Sequence, residues 1–294
     1  MFEGFTAESI SVDGAEIFVR HGGEGPPVVL LHGHPRTSAT WHRVAPQVVA
    51  AGYSVICPDL RGYGRSSKPP TTADHAPYSK RAMAGDIVHV LQALGHDTFS
   101  LVGHDRGSYV ALRLALDHPA AIERLVLIDC LPISEHLRRC TAEFAADWWH
   151  WFFFAQPDTP ERVINADPDA WYDGDREAMG AENHDEWLAA IRNPETVHAM
   201  LEDYRAGLGI DRANEEADRA NGRRVTAPLL LLWSPRDMLH GDPMEVWRDW
   251  ATDCTGRIIE SGHHVAEEAS DELAAALTDF LAGEPGPLHP SPER

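Results

Sequence analysis

The chain has 294 residues, 43% of them hydrophobic, and a formal charge of −21. That is enough for a full core in one large domain with an insertion, or in two domains. The charge argues against nucleic acid or an anionic membrane as partner. No apolar run approaches membrane-spanning length, and "MFEGFTAESISVDG" lacks the charged head and apolar middle of a signal peptide, so a cytoplasmic location is expected.

Short β-rich runs alternate with helical patterns along the chain. "AEIFVRH" (15–21) and "PVVLLHG" (27–33) flank the turn "GGEGP"; "YSVICPDL" (53–60), "FSLVGH" (99–104), "RLVLID" (124–129), "PLLLLW" (228–233) and "GRIIES" (256–261) follow. The later runs are continuously apolar, as strands buried on both faces are. Helical spacing falls near 41–51, 79–95, 106–118, 244–252 and 268–282. Such alternation predicts an α/β fold, a mostly parallel sheet with helices on both faces. The pattern stops between about 131 and 225, a stretch rich in Trp, Phe and acidic residues that reads as an inserted helical cap. The expected division is a core of 1–130 and 226–283, a cap of 131–225, and a flexible Pro-rich tail of 284–294.

Cys57, Cys130, Cys140 and Cys254 are scattered without metal-like or disulfide-like spacing, and read as small apolar fillers. The 17 histidines invite a metal hypothesis. However, His32/His34 and His263/His264 fit loop ends, and no HExxH pattern accompanies them. Neither metal nor cofactor is expected.

Ligands of an open α/β sheet bind beyond the carboxyl ends of its strands. Those ends collect His34, Asp59, Asp105, Asp129, Asp237 and His263, of which Asp59 in "PDLRGYG" reads as a loop anchor. Asp105 is the informative one. It sits in "GHDRG" between an apolar strand and a helix, the strand–turn–helix context of a nucleophile elbow, where serine is usual. Serine attacking saturated carbon would give an ether, a dead end. A carboxylate gives an ester, which water activated by histidine can open. The elbow therefore points to displacement at sp³ carbon, with a carbon–halogen bond or an epoxide as target. His263 in "ESGHH", after the last strand, is the expected base, preferred over His264 because adjacent loop residues face different ways. Asp129 and Asp237 both follow core strands and compete as the acid that orients it. The backbone N–H groups of His34 and Arg106 are the candidate oxyanion hole.

Together, "HGHP", "DLRGYGRSSKP", "YSKRAMAGDIV", "GHDRG", "RLALDHP", "LIDCLP", "HWFF", "EDYRAG" and "ESGHH" resemble the haloacetate (fluoroacetate) dehalogenase family of the α/β-hydrolase superfamily. The resemblance covers nearly the whole chain and is weakest over 155–195 and the tail. It implies an eight-stranded sheet and hydrolytic dehalogenation of small 2-halocarboxylic acids. Arg106 would then hold the substrate carboxylate and Asp129 would be the triad acid, with His150, Trp151 and Tyr204 forming the halide pocket. Those three side chains are N–H or O–H donors, which a departing halide requires. The other aromatics of "ADWWHWFFF" read as packing.

One position departs from the family: Tyr109 stands where a second arginine would help hold the carboxylate. It implies a weakened hold on fluoroacetate and a shift towards a larger haloacid or a neutral halogenated compound, unless Arg36 beside "HGHP" supplies the missing charge. The alternatives are an epoxide hydrolase using the same elbow, and a non-catalytic hydrolase-fold binding protein. A small-molecule substrate is the expected partner, and a homodimer is compatible with this reading.

Overall fold

In the computed structural model, residues 1–235 and 242–283 are described. Eight strands form one sheet: β1 (Thr6–Val12), β2 (Ala15–Gly22), β3 (Pro27–Leu31), β4 (Ser54–Pro58), β5 (Phe99–His104), β6 (Ile122–Ile128), β7 (Leu229–Trp233) and β8 (Cys254–Ile258). Their order across the sheet is β1-β2-β4-β3-β5-β6-β7-β8. The first two pairings are antiparallel, and every pairing from β4/β3 onward is parallel.

The helices are α1 (Ala45–Ala50), α2 (Lys80–Ala93), α3 (Arg106–Asp117), then α4 to α12, and finally α13 (Pro243–Trp250), α14 (Val265–Glu268) and α15 (Ser270–Ala282). Helices α4 (Ile133–Arg138), α5 (Ala142–Asp147), α6 (Trp149–Phe154), α7 (Thr159–Ile164), α8 (Pro168–Tyr172), α9 (Arg176–Met179), α10 (Ala181–Ile191), α11 (Pro194–Ala206) and α12 (Arg212–Ala220) fill the stretch between β6 and β7 without a strand. The tail 284–294 lies outside the described residues.

Alternation along the central strands explains why helices cover both faces. Val29, Leu31, Leu101, Leu125, Leu127, Leu229 and Leu231 pack with Met83, Ile87 and Val90 of α2, Val110 and Leu114 of α3, and Trp247 of α13. The intervening residues Val28, Leu30, Val102, Val126, Ile128, Leu230 and Leu232 meet Val48 of α1 and Leu273 and Leu277 of α15. Burying each such side chain contributes about 1.5–3 kcal/mol, so the parallel strands are the rigid part of the molecule. At the other edge, β1 is mostly exposed and lacks an apolar run, and no segment of the sequence reading corresponds to it. Strand β8 begins two residues before the apolar run that suggests it. It pairs only with β7, and that pairing rather than hydrophobicity sets its start.

The tip of β5 has no room for side chains. A Cβ on Gly103 would lie 2.5 Å from the Gly107 carbonyl oxygen, and one on Gly107 would lie 2.5 Å from that of Leu31. Gly85 in α2 has nothing within 4 Å of its would-be Cβ. Gly107→Ala should therefore lower stability by about 2–4 kcal/mol, a backbone-clash effect, whereas Gly85→Ala should raise it by about 0.5–1 kcal/mol. Urea-unfolding midpoints of the two variants check the pair.

Candidate active site

Asp105 is the residue at which β5 becomes α3. Its backbone takes φ 47°, ψ −117°, which costs a non-glycine residue about 1–3 kcal/mol. Packing on all sides holds it there. The Asp105 N–H donates to the Ile128 carbonyl at 3.1 Å, and the Ser108 N–H donates back to the Asp105 carbonyl at 2.9 Å. The Ser108 hydroxyl donates to the Gly103 carbonyl at 2.7 Å, fastening the first turn of α3 to the strand it leaves. Gly33 makes the close approach possible from the neighbouring loop, since a Cβ there would sit 2.5 Å from Asp105 Oδ2.

With that space open, the His34 N–H donates to Asp105 Oδ2 at 2.7 Å. Burial pushes the Asp105 carboxyl up, but His263, His104, the Arg106 guanidinium and the Arg106 backbone N–H outweigh it and hold the group below the usual carboxylate range. The carboxylate is thus ionised at neutral pH, with two backbone donors beside it.

The loop after β8 brings His263 to the same place. His263 Nδ1 lies 3.7 Å from Oδ2 of Asp129. Asp129 follows β6, is itself at φ 51°, and accepts the Ser234 N–H on Oδ1 at 2.7 Å. Its competitor Asp237 lies outside the described residues. His264 also borders the cavity, so the neighbouring histidines do not face wholly apart as the sequence suggested. Burial, reinforced by Arg36 and His263, keeps the His264 imidazole well below its usual pKa and hence neutral.

A cavity of about 320 Å³ opens here, lined by His34, Pro35, Asp105, Asp147, Trp148, His150, Tyr204, His263 and His264. That is at the small end for ligand sites. Burial lowers His150 to about 4 and His34 to about 3, and raises the Tyr204 phenol well above its ordinary value. At neutral pH the cavity therefore presents the Asp105 carboxylate and, in His34, His150 and Tyr204, uncharged donors, with Asp147 a second carboxyl on its wall. A larger cleft of about 780 Å³, bounded by His75, Glu161, His198 and Arg205, shares no residue with it.

Three of the sequence candidates sit differently from expectation. Trp151 is 1% exposed and packs edge-on against Tyr109 and Tyr204 rather than bordering the cavity. Tyr109 is equally buried, with the Arg106 guanidinium 5.2 Å over its ring. The Arg106 side chain is occupied: Nε donates to Asp203 Oδ2 at 3.0 Å, and Nη2 donates to Asp203 Oδ1 and to its carbonyl, both at 2.9 Å. Arg36 lines no part of the cavity, and its Nε and Nη2 donate to Glu267.

Asp203 was in the quoted "EDYRAG" but carried no assignment. It is fully buried and also binds Lys80 and, at 2.7 Å, the Tyr63 hydroxyl. Only distances in three dimensions reveal this hub, since Tyr63, Lys80 and Arg106 come from three separate segments. Among the described residues, His104, Asp129 and His263 are the group whose ligand atoms could hold a metal, lying within 4.8 Å of one another. The geometry spends them otherwise: His104 Nε2 is 2.7 Å from the His263 carbonyl, so that nitrogen carries a proton and donates it.

A carboxylate at the strand-to-helix turn, a histidine–aspartate pair and a backbone donor thus meet at the strand ends. The alpha/beta hydrolase fold model matches residues 26–270. The chain belongs to the alpha/beta hydrolase family. It is 37% identical to a fluoroacetate dehalogenase from Burkholderia sp, over all of this chain and 99% of the relative. It is 30% identical to a soluble epoxide hydrolase from Corynebacterium sp. (strain C12), over 94% of this chain and 97% of that one. Among solved structures, an alpha/beta hydrolase from Nostoc sp PCC 7120 superposes with a TM-score of 0.92 at 38% identity, covering 96% of this chain and 99% of that one. An epoxide hydrolase variant from Pseudomonas aeruginosa, solved with bound MFA, gives 0.88 at 40% identity, covering 96% and 97%.

The buried hub yields a prediction. Asp203→Asn removes the carboxylate that the buried Arg106 and Lys80 share, which should cost about 3–5 kcal/mol of stability. Chemical denaturation compared with Asp203→Glu, which keeps the charge, checks it.

Proposed function

We propose that this hydrolase cleaves carbon–halogen bonds of small 2-halocarboxylic acids through an ester on Asp105. The observation that carries the reading is the Asp105 carboxylate itself: ionised, anchored by His34 on one oxygen, and sharing one small cavity with His150, Tyr204 and His263. In the first step the oxygen not held by His34 attacks the carbon, the carbon–halogen bond breaks with its electron pair, and the halide departs towards His150 and Tyr204. Both groups are neutral donors, suited to a charge that develops only as the bond breaks. In the second step His263 takes a proton from water, and the resulting hydroxide adds to the ester carbonyl. The His34 and Arg106 N–H groups receive the oxyanion. Collapse releases the hydroxy acid, which takes a proton from His263, and the proton left on the Asp105 carboxyl passes to water. Asp129 orients the imidazole. Arg106 lines no part of the cavity wall, but its Nη1, buried and without a hydrogen-bond partner among the described residues, is the arm left for a substrate carboxylate.

That single arm supports a second reading. With Arg106 tied to Asp203 and Tyr109 uncharged, an anionic substrate finds less cationic help here than a pair of arginines would give. An epoxide needs none: His150 and Tyr204 would donate to the ring oxygen as it opens, and the diol product would leave by the same hydrolysis. Epoxide hydrolases stand among the relatives beside the dehalogenase.

Two measurements test these readings. Halide release from fluoro-, chloro- and bromoacetate, set beside diol formation from styrene oxide, separates the substrates. Asp105→Asn should abolish turnover of whichever is accepted, and His263→Asn should accumulate a substrate-derived ester visible by intact-protein mass spectrometry. An unmodified mass after proven substrate binding would defeat the covalent mechanism, turnover independent of Asp105 would mean a different catalytic group, and binding without any turnover would return the protein to the binding-module alternative.

A further inference from the structure

The segment carrying His263 is short, irregular and fixed through its backbone. The Gly262 N–H donates to Glu268 Oε2 at 2.5 Å, and the His264 N–H donates to Glu268 Oε1 at 3.2 Å. One carboxylate thus holds the peptides on both sides of His263. The His263 carbonyl accepts from the Val265 N–H at 3.0 Å and from His104 Nε2 at 2.7 Å. Gly262 is required for this arrangement, since a Cβ there would come within 2.5 Å of Glu268 Oε2.

Glu268 is itself held in register by its neighbour. Glu267, the preceding residue of α14, faces the other way and accepts from Arg36, from the Thr40 hydroxyl at 2.9 Å and from the Asn183 amide at 2.9 Å. Arg36 and Thr40 belong to the segment that begins with His34, so α14 ties the loop of His263 to the loop that donates to Asp105. Glu268 is exposed, borders no part of the cavity and reaches no reacting atom.

We infer that Glu268 and His104 are positioning residues that hold the peptide of His263 so that its imidazole stays between Asp129 and the Asp105 ester. The inference rests on the aspartyl-ester reading above. It predicts a step-specific effect. Attack by Asp105 on the substrate does not require His263, whereas hydrolysis of the ester does. Loosening the clamp therefore slows the second step alone. Bonds from N–H groups to a carboxylate are stronger than those to a neutral amide, so glutamine, which keeps one good acceptor, retains part of the effect.

The test uses the full chain with Glu268→Ala and Glu268→Gln, and chloroacetate and styrene oxide as probes. Ester formation and ester decay are followed by rapid-quench mass spectrometry. In Glu268→Ala, formation should stay within about threefold of wild type, while decay should slow by about tenfold or more as the imidazole loses its alignment. Glu268→Gln should fall between the two. Unchanged decay, or equal slowing of both steps, overturns the inference.

Failure of the underlying reading gives a different signature, with neither probe producing an ester in wild type or in His263→Asn. The clamp is then decided without substrate, by the low-field proton resonance of His263 Nδ1–H, assigned through its loss in His263→Asn. The inference expects it to be sharp in wild type and broadened by solvent exchange in Glu268→Ala. An identical resonance in the two proteins overturns the clamp.

Discussion

The turn at Asp105 is the constraint on which the rest of the site depends. A carboxylate at positive φ on the tip of a buried strand points outward only if neighbouring backbones come very close, and Gly33, Gly103 and Gly107 leave that space. Once the turn is made, several consequences follow without further design. The start of α3 sets its N–H groups beside the carboxylate and favours its ionised form. The loop after β3 lies near enough for the His34 N–H to reach it. The tips of β6 and β7, in register with β5, bring Asp129 and Ser234 into the same plane of the molecule.

Burial keeps most of the histidine rings around this turn uncharged. His34, His104, His150 and His264 are all held neutral by their surroundings. The Arg106 guanidinium beside Asp105 is paired with Asp203, which also binds Lys80. In the proposed reading these groups stabilise a leaving atom as oriented dipoles, already in place when its charge develops. Halide and epoxide oxygen make the same demand on those dipoles. That shared demand is a physical reason why relatives with such similar chains carry both kinds of name. What separates the substrates is the far end of the molecule, a carboxylate or a neutral group, and in the proposed reading it is Arg106 Nη1, without a hydrogen-bond partner among the described residues, that would meet it.

Much of this was legible in the sequence, for identifiable reasons. The parallel strands are apolar because both of their faces are covered, so their runs stand out, and β5 falls where its six residues suggested. The turn was legible because its steric demands write themselves into "GHDRG". Strand β1 was not, since an exposed edge strand needs no apolar pattern. The placement of Tyr109 and Trp151 was legible only as a face of a helix. Whether a ring on that face borders the cavity or fills the space behind it depends on what packs opposite, and here the two fill that space for each other. Asp203, Glu267 and Glu268 were missed altogether. Each acts on residues far away in the chain or on backbone groups, and neither kind of partner leaves a local motif.

The central claim is that the oxygen delivered to substrate comes first from Asp105 and only then from water. Single turnover in H₂¹⁸O, with enzyme in excess over an accepted substrate, tests it most directly. The account predicts product alcohol carrying unlabelled oxygen, and one ¹⁸O appearing in the peptide that contains Asp105. Label in the product of the first turnover, with Asp105 unlabelled, would mean direct attack by water and would contradict it.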